Sequence, residues 1–399
     1  MDVSAKARIT HPQKRFLKKM CNFLYYIGMG DYWYEKTERS NRHRILYTIY
    51  AVLVNGYLLL ITLNEILAHL RSDLTLKEKN DLIQFCLAHP SLCAKFVSLY
   101  FQKNRIRVLF GKILDGETYR SLELEKECVK KAIGYCVTLA VITYMTLVMT
   151  TVDAFFSYKQ GIPFRLEVSF IPGQIFQNGS LRNFLRSVND IHWWCIVTNM
   201  ILVDGISFTS LIYQGYKFRS VNDYFEGLRT KTVSNAKTKS EEVCAEEYEK
   251  DFIAGIKLHQ NALWCARNVQ SSLGNIYGAQ IILSSSCLVI CLIKLVATKE
   301  GMAFLVANFF YIACVLMLNG AYMMAAGDIT NEASLIPTAM FHSGWEHVRT
   351  KKRFRALIVL AIESSQRPVF MTAFGVITLS YQNFITVIRS SYSFFAVMY

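Results

Sequence analysis

Residues 378–399 read TLSYQNFITVIRSSYSFFAVMY, an apolar stretch whose one charged side chain is Arg389. As a helix these 22 residues would rise about 33 Å, enough to cross a hydrocarbon core about 30 Å thick. One side of that helix is polar. Gln382, Thr386, Ser390 and Ser393 follow at spacings of four, four and three, so they share a face, and Val397 continues it. What this stripe faces bears directly on function.

Six further runs are apolar and long enough, or nearly so, to span a bilayer: 45–70, 82–101, 132–157, 191–214, 273–297 and 303–326. With a last run over 371–397 the count is seven. The weakest is 82–101, which holds His89, Pro90 and Lys95. A content of 52% hydrophobic and 19% charged residues over 399 positions agrees. The fold class this predicts is all-α, a polytopic membrane protein with seven transmembrane helices. The first 44 residues carry ten Lys or Arg and no secretory h-region, so no cleavable signal peptide is expected.

Seven spans also describe a G-protein-coupled receptor, and the basic residues separate the two orientations. With the N-terminus inside, the inner pieces (1–44, 102–131, 215–268 and 327–369) hold 33 Lys and Arg, against 8 in the outer pieces (71–81, 158–190 and 298–302). A cytoplasmic N-terminus and an extracellular C-terminus are therefore expected, the reverse of the G-protein-coupled arrangement. The one N-x-S/T sequon, at Asn178, falls in an outer loop, where glycosylation is open to it. None of the eleven cysteines falls in an outer loop, which argues against an extracellular disulfide framework. The inner loops account for the net charge of +14 as membrane-surface charge, so no nucleic-acid partner is implied.

Residues 241–270 read as a helix that runs on into the fifth span, as a solvated extension or a subunit contact. The segment WEHVRTKKRFR at 345–355 fits an inner-leaflet charge cluster. The outer loop 158–190 holds GIPF and IPGQ and is long enough to fold over an external cavity. No internal repeat is present, which weighs against a transporter of duplicated halves.

Enzyme signatures are missing: there is no H-E-x-x-H, no G-x-x-x-x-G-K, no G-x-S-x-G and no Cys-x-x-Cys. His342 and His347 flank Trp345 in a basic loop and read as surface residues rather than metal ligands. Glu65, Asp153 and Asp204, the acidic residues within spans, form no evident set. No enzyme activity, cofactor or metal is expected. Binding remains. Thr143, Thr146, Thr150 and Asp153 share one face of the third span, with Phe155 and Phe156 beyond. Trp193, Trp194 and Thr198 lie in the outer half of the fourth span, and Phe309, Phe310 and Tyr311 in that of the sixth. Aromatic walls with few hydroxyls suit a small, mostly apolar ligand. The competing account is structural: Thr and Ser often bond their own helix, and aromatics collect at bilayer interfaces.

The stretch SSQRPVFMTAFGVITLSYQNFITVIRSSYSFFAVMY at 364–399 resembles the end of insect odorant receptors: a Gln-Arg-Pro turn, an apolar run, Phe384, and Ser-Tyr-Ser near the terminus. GDITNEASLIPTAMFHSGWEHV, with Trp345, resembles the loop that precedes the last helix in that family. The resemblance implies a ligand-gated, nonselective cation channel assembled as a tetramer. It implies an odorant cavity in the outer half of the bundle, a last helix lining the pore, and a shared co-receptor partner. The co-receptor is longer in its second inner loop, and the roughly 54 residues here (215–268) fit a ligand-tuning subunit instead.

The expected organisation is a cytoplasmic segment 1–44, helices and cavity over 45–326, a cytoplasmic anchor over 327–370 and a pore helix over 371–399. Ligand contacts are expected from Thr146, Thr150, Trp194, Thr198, Phe309 and Tyr311. Gln382, Thr386, Ser390 and Ser393 would face hydrated ions, and Val397 would close the outer mouth as part of an apolar ring. The place of Val397 also matches, by spacing, the family's hydrophobic gate. The rival readings are a gustatory-type channel, a G-protein-coupled receptor and, last, an enzyme or transporter.

Overall fold

The structure, a computed structural model, describes residues 11–35, 39–72, 74, 76–115, 121–159, 179–297 and 302–398. Ten α-helices occupy most of these: α1 Pro12–Tyr26, α2 Asn41–Leu67, α3 Leu76–Phe101, α4 Lys103–Leu114, α5 Leu122–Lys159, α6 Gly179–Thr238, α7 Glu241–Ala297, α8 Met302–Phe341, α9 Lys352–Ser365 and α10 Tyr381–Met398. A two-stranded hairpin, β1 Thr372–Ala373 with β2 Ile377–Thr378, precedes the last helix.

Helix α6 has 60 residues, a rise of roughly 90 Å, about three times a hydrocarbon core. It and the 57-residue α7 must therefore run well beyond any bilayer. Only Lys239 and Ser240 separate them, so the stretch 215–268 is a helical hairpin. Its apolar residues extend the main buried core along the hairpin. Phe225 of α6 meets Phe252 of α7 at 5.4 Å, and Phe252 meets Phe354 of α9 at 5.8 Å. Tyr248 of α7 shares a 2.7 Å hydrogen bond with Ser343, just past the end of α8. Gly344, three residues past α8 at φ +97°, turns the chain in the left-handed conformation that glycine adopts without steric cost. The chain can then return as α9. The expected anchor over 327–370 is thus mostly helical.

At the other end of the sequence, α1 buries Leu17, Met20, Cys21 and Leu24. This spacing of three and four makes one apolar stripe, which lies against α5 and α6. The Tyr213 hydroxyl of α6 donates to the Gln13 carbonyl at 3.1 Å and fixes the stripe in place.

Among the described residues, five helical stretches are long and apolar enough to cross a membrane: Asn41–Leu70, Leu122–Asp153, Ile191–Thr238, Glu241–Leu295 and Phe304–His347. The protein is a multi-pass membrane protein. Neither α3 nor α10 is in that set; α3 contains His89, Pro90 and Lys95, and α10 contains Gln382, Asn383, Arg389 and three serines.

Two expected boundaries are corrected. The outer loop was expected to reach residue 190, but α6 already starts at Gly179. The last helix was expected from 371, but it starts at Tyr381 and has 18 residues. Phe374 and Gly375, at φ 53° and 72°, turn the chain between β1 and β2 and exclude a helix there. Two hydrogen bonds hold the hairpin to α7. The Gln270 side chain donates to the Thr372 carbonyl and accepts from the Thr372 N–H, both at 2.8 Å. Gly278 of α7 leaves room for the Phe374 ring, which a Cβ there would meet at 2.5 Å.

Candidate ligand-binding cavity

Helices α3, α5, α6, α7 and α8 enclose a cavity of about 140 Å³ at the end of the bundle away from the α6–α7 turn. A cavity of this size holds a molecule on the scale of benzene. Its walls are mainly apolar, from Leu92, Leu147, Ile196, Val197, Leu283 and Val315 among others. A few polar groups converge on it from α3, α5, α7 and α8, the composition of a small-molecule site.

Of the expected contacts, Thr146, Thr150 and Tyr311 line the cavity. The Thr146 hydroxyl donates to the Ile142 carbonyl and that of Thr150 to the Thr146 carbonyl, each at 2.8 Å. Their donors are spent on their own helix, so they offer the cavity acceptor lone pairs. Tyr311 donates a weak 3.5 Å contact to the Cys287 thiol, which a better acceptor can displace. Trp194, Thr198 and Phe309 are not among the lining residues. Trp194 is 45% exposed and stacks on Tyr144 at 5.8 Å, while Thr198 bonds the Trp194 carbonyl and the Tyr144 hydroxyl. Phe309 is 67% exposed. Consecutive helix residues point about 100° apart. Trp193 takes the inward position that Trp194 cannot share.

The cavity also recruits residues that sequence reasoning passed over: His89 and Lys95 from α3, Gln280, Ser284 and Cys287 from α7, and Asn308 from α8. Gln280, Ser284 and Cys287 stand at spacings of four and three, a polar face within an apolar run that could have been read. In the sequence Lys95 only weakens its span. It is instead bound: its ammonium donates to Asp204 Oδ1 at 2.7 Å and to Gln280 Oε1. The Tyr322 hydroxyl donates to the same Asp204 oxygen at 2.7 Å, and Gln280 passes a 2.7 Å bond on to Ser284. The acidic residues within spans thus do form partnerships: Asp204 with Lys95, and Glu65 with His89.

The sequence over residues 75–392 matches the family model described as 7tm Odorant receptor. The chain belongs to the 7tm odorant receptor family. In fold this odorant receptor is similar to two structures of the insect olfactory receptor OR5 from Machilis hrabei, one of them in complex with eugenol. Each gives a TM-score of 0.77 over 96% of this chain and 97% of that one, at 11% identity. No curated protein matches it in sequence.

The receptor's last helix presents Gln382, Thr386, Ser390 and Ser393 outward, and all four are exposed. The opposite side is packed. Phe384 lies over Gly320 of α8, Val387 is half-buried, and Ser391 is buried. Thr386 and Ser390 look onto a groove shared with Ser285 and Ser286 of α7. At the start of α10 the Tyr381 hydroxyl donates to Asp328 of α8, which also pairs with Lys131 of α5. The side chain of Val397, and Asn178 altogether, lie outside the described residues.

Proposed function

We propose that this odorant receptor is a ligand-tuning subunit of an odorant-gated, nonselective cation channel. The observation that carries the reading is the division of α10 into a packed face and an exposed face along which the polar stripe runs. A helix at membrane depth cannot leave four polar side chains against lipid without cost. In an assembly of four subunits around an axis the stripe of Gln382, Thr386, Ser390 and Ser393 faces water and ions. Val397, one turn past Ser393, contributes to an apolar ring that closes by dewetting.

The cavity takes one small volatile molecule with an apolar body and one polar group. The eugenol complex of a receptor with the same fold supports a small odorant. Counting α3 and α10 as spans gives seven, with the N-terminus in the cytoplasm, as the basic residues favour. The plasma membrane of a sensory dendrite is the proposed location, and Asn178 the proposed glycosylation site. The short α6–α7 turn of two residues supports a ligand-tuning subunit, and in this reading co-receptor subunits complete the pore. Coupling runs through bistable packing: a ligand shifts the closed–open equilibrium by its differential affinity for the two states.

The test is current recording from cells that express this chain with and without the co-receptor, across an odorant panel. Odorant-dependent cation current is expected from the pair and little from this chain alone. No response to any odorant, with both subunits at the surface, would contradict the proposal.

A further inference from the structure

Beside the cavity, Glu65 of α2, His89 of α3 and His192 of α6 bring a carboxylate oxygen and two imidazole nitrogens within 4.8 Å of one another. Glu65 and His89 already share a hydrogen bond between Oε2 and Nδ1. His192 does not join it. It is 1% exposed, and neither of its ring nitrogens has a hydrogen-bond partner among the described residues. Its neighbours are ring edges and faces: Tyr57 at 5.5 Å and His89 at 6.1 Å.

A neutral imidazole has one N–H to donate and one lone pair to accept with, and burying both unused costs stability. A proton cannot serve all three groups, because the Glu65–His89 bond uses one and leaves His192 idle. A cation can, since a carboxylate oxygen and two imidazole lone pairs are all donors to it. We propose that Glu65, His89 and His192 form a binding site for a divalent transition metal, zinc being the ion that fits the donor set. Two imidazoles and one carboxylate are a ligand combination with which zinc keeps a fourth, open position. The hard ions calcium and magnesium prefer all-oxygen sets. Bonds of about 2.0–2.2 Å require the donor atoms to close to roughly 3.3 Å, which side-chain rotation supplies. Two neutral imidazoles and a carboxylate reduce the ion's charge from two to one, so less charge is left to bury.

The site would clamp α2 to α3 and α6. The most apolar window of α2 is only 11% buried within the chain, so such a clamp adds attachment where packing gives little. One turn past Glu65, just beyond the end of α2, His69 meets Cys86 of α3 at 3.0 Å, a second donor pair that competes for the ion. The inference does not depend on what the cavity binds.

The test uses the purified full-length receptor in lipid nanodiscs, stripped with chelator and titrated with cobalt(II), whose visible absorption reports its coordination, followed by competition with zinc. One cobalt ion per chain, displaced by zinc, is expected. Losing a direct ligand should exceed the 10–100-fold cost of losing an outer-sphere partner, so His192→Ala and His89→Ala should weaken cobalt binding by more than about 100-fold. His192→Phe fills the same space and serves where the alanine variant does not fold, with metal-free melting curves identifying folded samples. Cys86→Ser should bind like the parent. The proposal is overturned if the folded parent gives no cobalt spectrum, if folded His192 variants bind as tightly as the parent, or if Cys86→Ser is the change that abolishes binding.

Discussion

Lys95 Nζ stands 2.7 Å from Asp204 Oδ1, with neither side chain exposed to solvent. The pair joins α3 to α6 at the edge of the cavity; Gln280 adds a bond to the ammonium and Tyr322 one to Asp204 Oδ1, while Oδ2 has no partner among the described residues. Removing one partner leaves the other charge buried and uncompensated, a loss of about 3–5 kcal/mol. Lys95→Met or Asp204→Asn should therefore lower the melting temperature of the purified receptor strongly. The double change Lys95→Met with Asp204→Leu should recover much of that loss, because no lone charge remains. Equal melting of the single variants and the parent would show that the pair does not hold the helices.

Thr146 and Tyr311 line the cavity, whereas Phe309 does not. Thr146→Val keeps the shape and removes the acceptor; Tyr311→Phe removes a hydroxyl. Each should shift relative agonist potency by about 10–200-fold for ligands that use the lost group, and so reorder an agonist panel. Phe309→Ala should leave the order unchanged. A uniform loss across all agonists in the Thr146 and Tyr311 variants would mark these residues as structural.

The two faces of α10 differ enough to be separated by chemistry. Cysteines placed at Ser390 or Ser393 should react with water-soluble thiol reagents mainly while agonist is present. Cysteines at Phe384 or Ile388, on the half-buried side, should react little. In the proposed heteromeric pore Val397→Ser should raise basal current modestly, since a polar side chain eases wetting at one position of the ring. Faster labelling at 384 and 388 than at 390 and 393 would reverse the assignment of the pore face.

Acid should weaken the link between α1 and the segment that follows it. Lys14 Nζ lies 2.8 Å from Glu35 Oε1, and Trp33 Nε1 donates to Glu35 Oε2 at 2.9 Å. The Lys14 hydrogen bond, followed by that of Trp33, lowers the Glu35 pKa. A lowered carboxylate contributes stability above its unfolded value of about 4.3. It loses that stability as pH falls through the lower folded value. Lys14 and Glu35 are both more than a third exposed and screened by solvent, so the contribution is less than about 1 kcal/mol. Glu35→Gln should lower the melting temperature slightly at pH 7 and make no difference at a pH well below the folded value. Equal melting of parent and variant at pH 7 would remove the pair from the account.

The strongest sequence signals were long apolar runs and one-faced periodicity, and both were legible because they need no knowledge of neighbours. The polar face of α10 and the helix over 241–270 were read in this way, and so were Thr146, Thr150 and Tyr311. What failed depended on rotation or on partners. Trp193 and Trp194 cannot be told apart by composition, since only the packing of α6 decides which points inward. Lys95 weakened its span on any hydropathy scale, yet Asp204, 109 residues away in sequence, makes its burial tolerable. The hairpin over 372–378 was hidden because Val376, Ile377 and Thr378 suit a membrane helix as well as a strand. Only the left-handed turn at Phe374 and Gly375 separates the two.

The central claim is that ligand opens an ion pathway within the receptor assembly itself. Its most direct test is an excised membrane patch holding this chain and the co-receptor, bathed in solution free of GTP and other nucleotides, with an effective odorant applied by rapid exchange. The account predicts cation current within milliseconds of exposure that stops when odorant is removed. Current that vanishes without nucleotide while whole cells still respond would contradict it and assign the response to a separate signalling pathway.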